Sequence, residues 1–203
     1  MQPVHFVAAA FALAAATAVS AQTTTYTSSA AFLPNVGAGS YTEAFAVPSF
    51  SGDATADFSS GGFSYTVSVP GNTLYGNGGF IGTNGPNFPM LVTFTGAPVT
   101  AVGGNFFATN ISDVFQAVPI TVTLSDGTTS MFTPASESAS YRGFVSTLAI
   151  TSLTLGAPGA SLYVGMDNLT VGVASVVPEP ATALLLGLGL GGVLLARRRR
   201  AAA

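Results

Sequence analysis

From residue 41 onwards, short runs of apolar and β-branched residues alternate with clusters of Gly, Pro, Asn and Asp, and no segment repeats at a helical period. That rhythm predicts an antiparallel all-β domain, with strands over residues 41–45, 63–69, 90–94, 102–107, 120–124, 128–132, 148–155 and 169–173. Ile120, Val122 and Leu124 alternate with Thr121 and Thr123, and Leu169, Val171 and Val173 repeat the pattern, so one face of each strand is buried and the other wet. Asp126-Gly127, between the runs that end at Leu124 and Phe132, predicts a hairpin, because Gly accepts the positive φ of a tight turn. Residues 71–89 crowd Gly and Asn around Tyr75, Phe80 and Phe88, which predicts a long loop. Its rings either stack on sugar or plug the edge of the domain. The Thr-rich segment 23–29 reads as a frayed arm or as a first edge strand.

The two chain ends break this rhythm. Residues 6–19 are apolar, and Val19-Ser20-Ala21 places small residues where signal peptidase cuts. Residues 1–21 are therefore expected to be a helical secretory signal, with cleavage between Ala21 and Gln22. At the other end Pro178, Glu179 and Pro180 precede an uncharged run over residues 181–196, followed by Arg197, Arg198, Arg199 and Arg200. As a helix that run measures about 24 Å against roughly 30 Å of bilayer hydrocarbon. It is expected to be a single transmembrane helix, with arginine stems reaching back to the interface and the basic tail in the cytoplasm. The prolines fix the outer boundary, since Pro180 lacks an N–H and forces Glu179 towards extended geometry. Residues 22–176 are left as one ectodomain, long enough for a real core.

Composition narrows the chemistry. Between residues 22 and 178 the one cation, Arg142, faces seven acids, Glu43, Asp53, Asp57, Asp113, Asp126, Glu137 and Asp167, a formal charge of −6. Such a surface repels nucleic acid and anionic lipid. Arg142 is expected to pair with one of the acids. The chain has no Cys, and its one His, His5, lies in the signal segment. Ser-His and Cys-His machinery and His- or Cys-bound metals therefore have no residues to use in the exported part. Carboxylate pairs such as Glu43 with Glu137 leave a glycosidase as the one enzyme class open. The expectation is a domain that is not an enzyme.

The Pro-Glu-Pro triplet, apolar span and arginine tail, in that order at the C-terminus, resemble the PEP-CTERM sorting signal of exported Gram-negative proteins. The resemblance assigns residues 177–203 to sorting. It implies a partner exosortase that recognises Pro178, Glu179 and Pro180 while the span holds them at the membrane, followed by release to the cell surface or extracellular matrix.

A second resemblance runs through Tyr141-Arg142-Gly143-Phe144, then Ile150 to Leu155, then Asp167-Asn168-Leu169-Thr170-Val171. These are similar to the last strands of jelly-roll domains, a relation that implies a jelly-roll-like β-sandwich with a Gly-aromatic turn, a two-sided strand and a final strand pairing back near the N-terminus. In sugar-binding jelly rolls a calcium ion joins an acid near the first strand to one at the start of the last. That implies Glu43 and Asp167 as ligands of a structural Ca²⁺, the one cofactor expected; otherwise Asp167 caps a turn through its own backbone. The function these readings imply is a non-catalytic module associated with carbohydrate or exopolysaccharide. A structural coat protein without a small ligand and a glycosidase are the alternatives.

Overall fold

A computed structural model describes residues 22–46, 52–159 and 161–175. The expected signal helix with Ala21, the Pro178-Glu179-Pro180 triplet, the span over residues 181–196 and Arg197 to Arg200 lie outside the described residues. Among the described residues no helix is long and apolar enough to cross a membrane.

The strands are β1 (Thr23–Tyr26), β2 (Tyr41–Glu43), β3 (Thr55–Ser60), β4 (Phe63–Ser68), β5 (Leu74–Gly76), β6 (Ile81–Thr83) and β7 (Met90–Phe94). They continue as β8 (Val99–Thr109), β9 (Phe115–Gln116), β10 (Ile120–Leu124), β11 (Thr129–Phe132), β12 (Tyr141–Ile150), β13 (Ser152–Leu155) and β14 (Tyr163–Gly172). One sheet runs β1-β12-β8-β14-β6-β5, with β2 also on β14 and β9 on β8; the other runs β11-β10-β13-β7-β4-β3. All the pairings are antiparallel. The alternation seen in the sequence explains why the sheets meet. Val67, Val92, Val122 and Leu153 from the second sheet share one solvent-free core with Val102, Phe106, Val164 and Met166 from the first. The result is sandwich-like, as expected.

The expected hairpin is present. Gly127 takes φ 87°, its N–H donates to the Leu124 carbonyl at 3.0 Å, and the Thr128 N–H is held by the Asp126 carboxylate at 2.8 Å. Asp126 also accepts from the Thr23 hydroxyl at 2.6 Å. Burial alone would raise its carboxyl, but the bonds from Thr23 and Thr128 outweigh that and hold it below the ordinary range. This contact ties the hairpin to β1, so the Thr-rich segment is an edge strand, paired to β12, and not a frayed arm. The last strand does pair back near the N-terminus, with Leu169 to Val171 against Glu43 to Tyr41.

Four expectations need correction. The loop expected over residues 71–89 contains β5 and β6, strands of three residues each, too short for a periodic signal. The strand expected over 148–155 is broken at Thr151, because the chain changes sheets there: Ile150 pairs with Val99 in one, Ser152 with Thr93 in the other. Tyr141 to Phe144 form the start of β12 and not a Gly-aromatic turn. Gly143 is a close-approach residue: a Cβ there would lie 2.5 Å from the Phe32 ring. Phe32 ends a four-residue helix, α1 (Ser29–Phe32), whose start is capped by the Ser28 hydroxyl, and it seats its fully buried ring on Gly143 and Gly103 between Tyr26 and Tyr141. Arg142 takes a ring instead of an acid, with its guanidinium 3.6 Å from the centroid of Phe132 and a bond to the Tyr141 carbonyl.

Candidate functional site

The β5–β6 hairpin is where glycine shapes a site. Gly82 pairs with Gly165 across β6 and β14, and a Cβ on Gly82 would come within 2.9 Å of the Val164 carbonyl, while one on Gly165 would press on Phe107 at 2.8 Å. With no side chains there, Phe80 and Phe107 lie edge to face, 5.4 Å apart, on the outer side of the first sheet. Phe80 is thereby buried, and Phe88 packs against the main core. Of the three rings that the sequence offers in this stretch, these two are structural plugs. Tyr75 is the third, half-buried, 6.0 Å from Phe80, and it forms a wall of a cleft.

The cleft has a volume of about 90 Å³. Tyr75 and Tyr163 line it, with Phe80 and Thr83 deeper and Asn84, Asn110 and Asp113 around them. The loop after β8 supplies the last two. Asn110 Oδ1 accepts from the N–H groups of Ser112 and Val114 at 2.9 and 3.1 Å, folding the loop back on itself. That turn sets Asp113 at φ 58°, where its carboxylate accepts from the Tyr75 hydroxyl at 2.5 Å and from Asn77 at 3.2 Å. The bond to Asp113, with some burial, raises the Tyr75 phenol above its ordinary pKa. Tyr75 is therefore pinned as a neutral, oriented ring. Ile111, 79% exposed, adds an apolar edge to the mouth. Thr83 is 1% exposed, and its hydroxyl has no hydrogen-bond partner among the described residues. Nothing in the sequence distinguishes Thr83 or Tyr163; a Gly-rich loop carrying aromatic residues was the one signal there to read.

The cleft lies at one end of the long strands. Tyr163 pairs with Thr109 beside it, whereas the opposite end of the same ladder pairs Gly172 with Ala101. Nine residue steps along β14 give about 30 Å. The chain leaves the described domain at that far end, where the Ala174 N–H is fixed by the Thr100 hydroxyl at 2.7 Å. Gln22 is at that end too, donating to Thr147 at 3.1 Å.

Glu43 and Asp167 are not brought together. Glu43 is opposite Leu169, whose side chain is in the core, and its carboxylate accepts from the Tyr41 hydroxyl and from the Phe45 N–H. Asp167 is opposite Asn105, on the other face of the sheet, and both of its oxygens accept from Asn168 at 2.6 Å. Two carboxylates already occupied, on opposite faces, do not make the six- to eight-oxygen shell that calcium takes. Asn168, at φ 51°, sits where the β14–β8 register shifts, so the Asp167-Asn168 pair builds a bulge. Asp167 has Glu137 beside it in an open groove with Asn105, Ser136 and Ser138; burial foremost, and the Glu137 charge, raise its carboxyl. Among the described residues no three acidic, His or Cys side chains cluster as a metal site.

No curated protein and no solved structure matches the chain. Residues 176–200 match the model of the PEP-CTERM protein-sorting motif. The matched segment holds the Pro-Glu-Pro triplet, the apolar run and the arginines, and so it marks the chain as an exported protein, transiently anchored in the membrane before an exosortase cleaves it.

Proposed function

We propose that the domain delivered by this sorting motif is a non-catalytic carbohydrate-binding module of the cell surface or extracellular matrix, with a jelly-roll-like relation to sugar-binding sandwiches. One observation supports it above the others. The cleft presents two half-buried tyrosines beside open amide and hydroxyl groups, the combination of apolar face and polar edge that sugar rings match. Its position favours display, since it faces away from the end of the domain that leads to the anchor. The coat-protein alternative predicts no such cleft. The glycosidase alternative has Asp167 and Glu137 to draw on, but the groove around them has no aromatic wall to hold a sugar.

The exported protein, purified in detergent, is expected to bind immobilised neutral polysaccharide, and Tyr75→Ala to weaken that binding by tenfold or more, about 1.4 kcal/mol. Biolayer interferometry reads both. Binding that Tyr75→Ala leaves intact would remove the cleft from the account, and a lack of binding would return the domain to a structural role. Processing has its own check: intact mass from a host with an exosortase should correspond to Gln22 at the N-terminus and a C-terminus near Pro178. A mass that retains residues 184–200 would mean a plain membrane anchor.

A further inference from the structure

We infer that the cleft takes a single pyranose residue without an acidic group, seated with one hydroxyl on Thr83, and rejects uronic, sulfated and phosphorylated sugars. This rests on the carbohydrate reading above and gives it a ligand class. Three observations carry it. The first is Thr83, whose hydroxyl is buried on the cleft lining with no partner among the described residues. Buried hydroxyls are nearly always paired, because an unmade bond leaves the desolvation penalty standing. A ligand hydroxyl arriving at that point removes a penalty that the free protein carries.

The second is the set of polar groups that the fold leaves open. Asn84 gives its Nδ2 to Thr73, which frees its Oδ1; Asn110 spends its Oδ1 on its own loop, which frees its Nδ2. A hydroxyl both donates and accepts, so a ring bearing several can meet an amide oxygen, an amide nitrogen and the Thr83 hydroxyl together. At about 90 Å³ the space encloses one edge of a single ring, being well below the roughly 300 Å³ at which pockets for drug-sized molecules begin.

The third is charge. The Asp113 carboxylate stands at the cleft, and the only cation of the exported domain, Arg142, is spent over the Phe132 ring. Anionic sugars are held by Arg or Lys. Here they would meet a carboxylate and no counter-charge.

The exported protein in detergent is titrated by ligand-observed NMR with methyl glucoside, methyl galactoside and methyl mannoside, with glucuronic and galacturonic acid, and with glucosamine as a cation. At least one neutral glycoside should bind about tenfold or more tighter than either acid, and the amine should not be rejected as the acids are. Thr83→Val should weaken that glycoside by about three- to tenfold while raising the melting temperature, because it removes an unpaired hydroxyl. Thr83→Ser, which keeps the hydroxyl, should retain binding and covers the case in which the valine variant folds poorly. An acid binding tightest would overturn the charge rule and leave the carbohydrate reading standing. Affinity unchanged in Thr83→Val, or lost equally in Thr83→Ser, would overturn the seat on Thr83. If none of the sugars binds, both readings fall.

Discussion

Above pH 10 this domain is expected to lose stability steeply, and the cause is three tyrosines. Tyr65 and Tyr141 are almost solvent-free, at 1% and 6% exposure; among the described residues the Tyr141 hydroxyl has no hydrogen-bond partner, and that of Tyr65 has only the neighbouring Tyr41 hydroxyl to turn to. Burial, acting most strongly, pushes both phenols well above the ordinary value of about 10; for Tyr65 the neighbouring Tyr41 and Glu43 add to it. Tyr41, which donates to Glu43, is pushed up to about 12, by burial first and then by Glu43. In the unfolded chain all three ionise near pH 10, while in the folded domain they stay protonated. The unfolded state then binds fewer protons, so stability is fully present below pH 10 and falls as pH rises towards the folded values. Tyr65 and Tyr141 alone should remove about 2.7 kcal/mol per pH unit in that range. Two units would take about 5 kcal/mol, as much as many domains possess.

Urea unfolding followed by circular dichroism between pH 8 and pH 12 measures this loss. Tyr65→Phe with Tyr141→Phe should flatten it, leaving the smaller contribution of Tyr41. Each substitution keeps the ring and removes a buried hydroxyl, so neutral-pH stability should change little at Tyr65, which faces Tyr41, and hold or rise by about 1 kcal/mol at Tyr141. A wild-type curve that is flat to pH 12 would mean that both hydroxyls reach water.

The second large effect is expected where α1 meets the first sheet. Phe32 is 0% exposed, and Phe32→Ala removes a ring held by Tyr26, Tyr141 and the two glycines beneath it, at a cost of about 3–5 kcal/mol. Gly143→Ala attacks the same contact from below. Its methyl would lie 2.5 Å from the ring, and the ring sits on a short helix tied to β1, so about 1–3 kcal/mol is expected from overpacking. The two should not add. Once Phe32 is gone, the methyl has space, and the double variant should be no less stable than Phe32→Ala alone. Additive losses would show that Gly143 is needed for its backbone and not for the ring above it.

What the sequence disclosed follows from period and length. β7 and β10 are found at the bounds expected for them, since β10 alternates cleanly, β7 is a compact apolar run, and both are bounded by turn residues. Asp126-Gly127 was legible because a positive φ leaves a residue-specific mark. β3 went unread: Ala56 and Phe58 face inward, but Asp57, Ser59 and Ser60 dilute the run below a strand signal. Gly143 and Gly165 look like breakers in one dimension and are landing places for rings in three, which is why Tyr141 to Phe144 read as a turn. The site was half legible. Tyr75 stood out as an aromatic in a Gly-rich loop, whereas Tyr163, Asn110 and Asp113 come from strands and loops far along the chain, and the β5–β6, β6–β14 and β14–β8 pairings bring them together. Glu43 and Asp167 show the reverse case, two acids that the jelly-roll resemblance placed together and the pleat puts on opposite faces.

The account turns on the cleft between Tyr75 and Tyr163, and a crystal structure of the protein grown with a neutral methyl glycoside tests it most directly. It should show one pyranose ring against Tyr75 or Tyr163, with a hydroxyl within about 3 Å of the Thr83 oxygen and the Asp113 bond to Tyr75 intact. A sugar seated elsewhere on the domain, or an empty cleft at a concentration where solution binding is saturated, would contradict it.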